Sequence, residues 1–214
     1  MSKKKKNKVD WLNHLVGLVA VVFGVLIAFW LNSWSEENRM EATLKVALEN
    51  IKSEVGRNND NLDTIIQSNK TLHTFLSTFL DSVDENMKVT VSDSAWNELV
   101  MRYPQYLSDG KSGVQIDLDL FQLSDVAWSA AHRTDAFSSM DYDLAFTLEK
   151  AYTLQEKLND FDTSLIGDLK AIDNTKASFR RLHRTLGFAL GMASNLQDKN
   201  YSDLTKAVND YLNK

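Results

Sequence analysis

Residues 15–31 read LVGLVAVVFGVLIAFWL, seventeen positions without a charged side chain, preceded by Trp11 and closed by Trp30 and Trp34. At about 1.5 Å per residue, a helix of about 17 to 25 apolar residues crosses a hydrocarbon layer of ~30 Å, and tryptophan settles at the interface, where its indole N–H stays hydrated. The run therefore predicts a transmembrane helix over residues 15–34, with Trp11, Trp30 and Trp34 as membrane-interface anchors. Lys3, Lys4, Lys5, Lys6 and Lys8 stand before it, and Glu36 and Glu37 follow it ahead of Arg39. That asymmetry keeps the amino terminus in the cytoplasm. A cleavable signal peptide would have a shorter apolar core ending in small residues, whereas this run ends in Phe29, Trp30 and Leu31, so it reads as an uncleaved signal anchor. The predicted organisation is a short basic cytoplasmic tail at 1–14, the span at 15–34 and an extracytoplasmic domain at 35–214.

Within the span, Gly17, Ala20, Gly24 and Ala28 form a stripe of small residues at helical spacing. Lipid tails are as apolar as leucine, so helices associate in membranes through close backbone approach, and the stripe is a candidate helix-packing surface for a second copy or another membrane protein.

The rest of the chain reads differently. The whole sequence has 214 residues, 43% hydrophobic and 25% charged, with one proline and no cysteine. Disulfides, thiolate metal sites and thiol catalysis are thereby excluded, and almost nothing interrupts helices. Setting aside the five lysines and one aspartate of residues 1–14 leaves 19 basic and 28 acidic residues out of 24 and 29, a net charge of −9. So acidic a domain is unsuited to nucleic acid, whose binding rests on neutralising phosphates. The expected partners are the lipid bilayer and either self or another membrane protein.

Beyond the span, Leu44, Leu48, Ile51, Val55, Leu62, Ile65, Leu72, Leu76, Phe79 and Val83 follow alternating steps of four and three. A 3.5-residue period held this long predicts a coiled-coil-like helix whose seam packs on other helices. Asn58 and Asn69 occupy the two polar rungs. They read either as seam asparagines demanding amide partners or, the preferred reading, as a local widening or bend near Gly56, with the amides in water.

Between residues 86 and 123 the period changes. Val89 and Val91 alternate, as do Val114, Ile116, Leu118 and Leu120 around Asp117 and Asp119, which predicts two short strands or extended crossings; Asp109, Gly110, Ser112 and Gly113 read as a loop. Ser92-Asp93-Ser94-Ala95-Trp96 is echoed by Ser124-Asp125-Val126-Ala127-Trp128. Both read as capped helix starts whose tryptophans, Trp96 and Trp128, join the domain core. A ligand pocket lined by them is the alternative.

Asp141 is a candidate cap for a helix carrying Leu144, Leu148, Ala151, Gln155, Leu158, Leu165, Leu169 and Ile172, with Asp162 as its polar exception. Its length suits antiparallel packing on the first helix. A further helix carries Phe179, Leu182, Leu186, Leu190 and Ala193, and a last one, after Ser202, carries Leu204, Val208 and Leu212. The basic group Arg180, Arg181, His183 and Arg184 is expected to balance the acids at Asp168 or Asp173. His14, His73, His132 and His183 form no metal-ligand motif, and no phosphate loop, nucleophile elbow or calcium loop occurs. Catalytic residues, metal and cofactor are accordingly all read as none, and the protein as not an enzyme.

Residues 24–37, GVLIAFWLNSWSEE, resemble the membrane exit of a group of uncharacterised bacterial single-pass membrane proteins, and so do 125–131, DVAWSAA, with Met140-Asp141-Tyr142 and Tyr152-Thr153-Leu154-Gln155. The resemblance covers residues 11 to about 160. It implies a protein of the bacterial cytoplasmic (inner) membrane with its domain in the periplasm, and no catalytic residues to carry over. The fold expected is mainly α: a transmembrane helix continuing into an elongated antiparallel helical bundle, with at most a minor two-stranded β element. The expected role is protein contact, as a homo-oligomer or accessory subunit. The alternative is an extracytoplasmic ligand-sensing bundle signalling through a partner.

Overall fold

Nothing interrupts the first helix. In the computed structural model, which describes residues 11–83, 89–107, 113–134, 137–138, 140 and 141–213, α1 runs Trp11–Asp81 as one α-helix of 71 residues, about 106 Å long. Gly56, Asn58 and Asn59 do not break it. The lysines of the expected tail and the loop residues Asp109, Gly110 and Ser112 lie outside the described residues.

Along α1 the environment changes once. Described side chains from Trp11 to Arg39 are exposed, and full burial begins at Leu44. From there Leu48, Ile51, Val55, Leu62, Leu72, Leu76, Phe79 and Val83 are buried, as the seam predicts. Ile65 is only half-buried, and its neighbour Ile66 takes the core position. A 3.6-residue helix drifts about 20° per heptad against a 3.5-residue ladder, so after three heptads the next residue turns inward. Phe75, outside the ladder, is buried against Tyr103 and Tyr106.

The remaining helices are α2 (Asp93–Arg102), α3 (Val126–Ala131), α4 (Tyr142–Lys170), α5 (Lys176–Asn195) and α6 (Ser202–Leu212), the last two joined by a π-helical turn, Leu196–Tyr201. Contacts along the axis fix their directions. Phe79 meets Phe179, His73 meets His183, and Gln197 reaches the Asn59 carbonyl, so α5 descends along α1. Phe161 meets Phe188 and Asp168 meets Arg181, so α4 is antiparallel to α5. Glu54 binds Tyr152 and Asn58 binds Gln155; both numbers rise together, so α4 runs parallel to α1. This corrects the expected antiparallel pairing of those two helices.

The downward member between them is not a helix. Residues 113–125 form an extended segment that descends from the tip toward α3. No strand forms among the described residues; Leu107 and Val114 make one isolated bridge, so the alternating residues are extended crossings and not a two-stranded element. In cross-section α1 and α4 are flanked by the extended segment on one side and by α5 on the other. The tip is closed by α2 and the Tyr103–Leu107 turn, and Lys176 Nζ donates to the Val83 carbonyl there at 2.8 Å. At the α4–α5 turn Asn174 takes a left-handed φ of 59°, which asparagine tolerates, and Thr175 caps α5 by accepting from Ser178 N.

Candidate functional site

An extended chain lying on helices cannot satisfy its backbone through a ladder, so side chains must do so. Asn69 Nδ2 donates to the Asp119 carbonyl at 2.7 Å, and Asp119 N donates back to Asn69 Oδ1 at 3.1 Å. Asn58 clamps Ser124 in the same way, at 2.7 and 3.0 Å. From the α4 side, Asn159 clamps Leu123 at 3.0 and 3.1 Å, and Asp162 Oδ1 accepts from Phe121 N at 2.9 Å. Each of the three carboxamides turns one N–H donor and its oxygen acceptor to the segment and so imitates a β-strand partner.

The spacing is physical. Eleven helical residues from Asn58 to Asn69 rise about 16.5 Å and make just over three turns, and five extended residues from Asp119 to Ser124 cover about the same distance. The two polar rungs are therefore seam asparagines with obligatory partners. They are buried, not amides in water.

Below this clamp lies a buried polar joint. Glu54, 1% exposed, accepts from Ser124 Oγ at 2.8 Å, Ala127 N at 2.9 Å and the Tyr152 hydroxyl at 2.8 Å. It thereby caps α3 from another helix. Of the candidate Ser124-Asp125 pair, Asp125 makes no side-chain cap bond and Ser124 Oγ accepts from Val126 N at 3.4 Å; Asp141 makes none for α4, whereas Ser92 does cap α2 through Ala95 N. Gln155 continues the joint, donating to the Ser124 carbonyl and accepting from the Tyr201 hydroxyl at 2.6 Å. The wide π turn swings Tyr201 inward for this contact, and it is held by Asn200, whose amide donates back to Asn195. Burial, with Glu54 beside it, raises the Tyr152 phenol far above its ordinary value, and burial raises Tyr201 likewise. Both stay protonated donors. Burial also raises the Asp162 carboxyl, against the opposing pull of the Phe121 N–H.

Two recesses flank the joint. One, of about 300 Å³, is walled by Trp128 stacked on Tyr152 at 4.8 Å, with Asp125, Glu149, Glu156 and Asp160 around it. The other, of about 540 Å³, lies beside Gly56, Tyr201 and Lys206. Trp96 is buried in the core, while Trp128 is half-buried and meets His132 and Phe137 edge-on, so the two tryptophans do not share a pocket.

Elsewhere, Arg181 pairs with Asp168 at 2.8 Å, the balance expected of the basic group, and Thr185 shares that carboxylate at 2.6 Å. His73 and His183 stack in the α1/α5 seam at 4.0 Å, a pairing no sequence spacing announces. Gly187 makes room for it, since a Cβ there would stand 2.8 Å from His73 Nε2. No group of three His, Asp or Glu side chains suited to a metal ion occurs among the described residues. Gly17, Ala20, Gly24 and Ala28 lie on the exposed part of α1, as do Trp11, Trp30 and Trp34. By length and composition α1 can cross a membrane. No family model, no curated protein and no solved structure matches this chain.

Proposed function

We propose that the chain is a non-enzymatic helical bundle anchored in the bacterial cytoplasmic membrane, amino terminus inside and bundle in the periplasm, which works through contacts with its own copies or with another membrane protein. The observation that carries this reading is that one unbroken helix supplies both the exposed apolar run and the core seam from Leu44 onward. Whatever the span touches is thus tied rigidly to the bundle. The exposed stripe at Gly17, Ala20, Gly24 and Ala28 supplies a surface where backbones can meet, and a Cβ at Gly17 or Gly24 would encounter nothing within 4 Å among the described residues.

The absence of cysteine makes the test clean. Single cysteines placed through residues 17–28 should cross-link in native membranes with helical periodicity, strongest at Gly24 and Ala28 for self-contact, and a flat low profile would exclude self-contact through the span. Reporter fusions at both ends check the topology. An external amino terminus would overturn it.

A second reading, the sensing bundle, is favoured by the recess at Trp128, whose carboxylates and aromatic wall suit a small cationic ligand. A thermal-shift screen of the intact protein against organic amines tests it, with an unmoved melt as the result against it.

A further inference from the structure

The bundle has two complementary faces at one height, on opposite sides. On α5, Phe188 is 61% exposed although its ring lies 5.2 Å from Phe161, and Arg184 one turn away is exposed without an ion-pair partner among the described residues. On α1 and the extended segment, Ser68, Thr71, Gln105, the buried Tyr106 and the exposed Asp117 border a mostly polar recess of about 270 Å³. Thr71 lies two residues from His73, hence about 160° around α1 from the residue that faces α5. Phe188 lies five residues from His183, about 140° around α5 from the residue that faces α1.

The heights follow from contacts already described. His73 stands level with His183 and Asn59 with Gln197, so Phe188 stands level with about residue 68 of α1 and Arg184 with about residue 72. Asn69 holds Asp119, and two extended residues farther from the base place Asp117 level with about residue 73. Phe188 therefore matches Ser68 and Thr71, and Arg184 matches Asp117. Copies carried upright on identical membrane helices share one height and one polarity. We propose that neighbouring copies associate side by side, head to tail, with Arg184 of one copy pairing with Asp117 of the next and Phe188 lying over the mouth of the Thr71–Tyr106 recess.

This rests on the reading of a membrane-anchored chain that meets its own copies. It adds the surface and the symmetry. The two patches differ, so the contact is heterologous and propagates as a row or closes as a ring. Phenylalanine and arginine are both enriched at protein interfaces relative to the rest of the surface.

The test is co-expression of two full-length chains, one Phe188→Cys and one Thr71→Cys, with a short bis-maleimide applied to native membranes. A mixed dimer well above either same-cysteine pair is expected. Arg184→Glu or Asp117→Arg, made in both chains, should lower it roughly tenfold, and the two together should restore it, which a folding defect would not do. Cross-linking at Phe188→Cys alone, or none, overturns the proposal. If Gly24→Cys in the span still cross-links, the broader self-contact reading survives without this surface. If it does not, both fail.

Discussion

Asn69 is fully buried on a helix yet spends its carboxamide on the backbone of a segment fifty residues later. Asn69→Ala would leave the Asp119 N–H and carbonyl without those partners in a part-buried site, a loss of about 1 kcal/mol. Amide exchange supplies a sharper readout than a melt. Asp119, Phe121, Leu123 and Ser124 belong to no helix or sheet, but their N–H groups donate to Asn69, Asp162, Asn159 and Asn58. They should exchange slowly, and Asn69→Ala should release Asp119 selectively; uniformly fast exchange across the segment would remove the clamp from the account. The eleven-residue spacing of the two asparagines was visible in the sequence as a pair of seam breaks. What the spacing served was not visible, because a carboxamide bonded to backbone places no demand on the side chains opposite it, and so leaves no pattern at Asp119 or Ser124 to read.

At the scale of elements, the seams of α1, α4 and α5 were legible because burial of leucine and phenylalanine at helical spacing follows from the hydrophobic effect alone. Helix direction was not. An antiparallel α4 is the default for a bundle joined by helices, and only the extended segment acting as the descending member allows α4 to rise beside α1. The α1/α5 seam adds a pH dependence. Burial first, and His183 second, lower His73; burial lowers His183, while Asp81 opposes. Both histidines therefore favour the neutral form when folded, and His183 Nε2 is buried without a hydrogen-bond partner among the described residues. The unfolded chain binds the protons more readily, so stability is complete above the unfolded value of 6.5 and is lost as pH falls through it toward the folded values. Asp162, raised when folded, works in the opposite sense in a lower window that opens above 3.8. The melting temperature should decline from about pH 8 to about pH 5.5 in the wild type, and the decline should flatten when His73→Gln and His183→Gln are combined. Equal slopes in the two proteins would assign the acid sensitivity elsewhere.

At the scale of the whole molecule, the decisive quantity is the distance between the last tryptophan and the first fully buried leucine. Trp34 and Leu44 are ten residues apart on one helix whose intervening side chains contribute little to the core, so a stalk of about 15 Å sets how high the bundle stands. A continuous helix converts residue count into both height and rotation. Duplicating the seven residues 35–41 would raise the bundle by about 10.5 Å while turning it by only about 20°, since seven residues fall just short of two turns. Two long-stalked copies would keep Phe188 level with the recess of the next copy. A long-stalked copy beside a wild-type one would miss it by roughly seven helical residues, carrying Arg184 past Asp117. The mixed-cysteine cross-link should therefore persist between two long-stalked chains and collapse between a long-stalked and a wild-type chain. Cross-linking that ignored the difference in height would mean that the copies meet through a flexible or membrane-embedded contact, and the rigid coupling of span to bundle would have no part in their assembly.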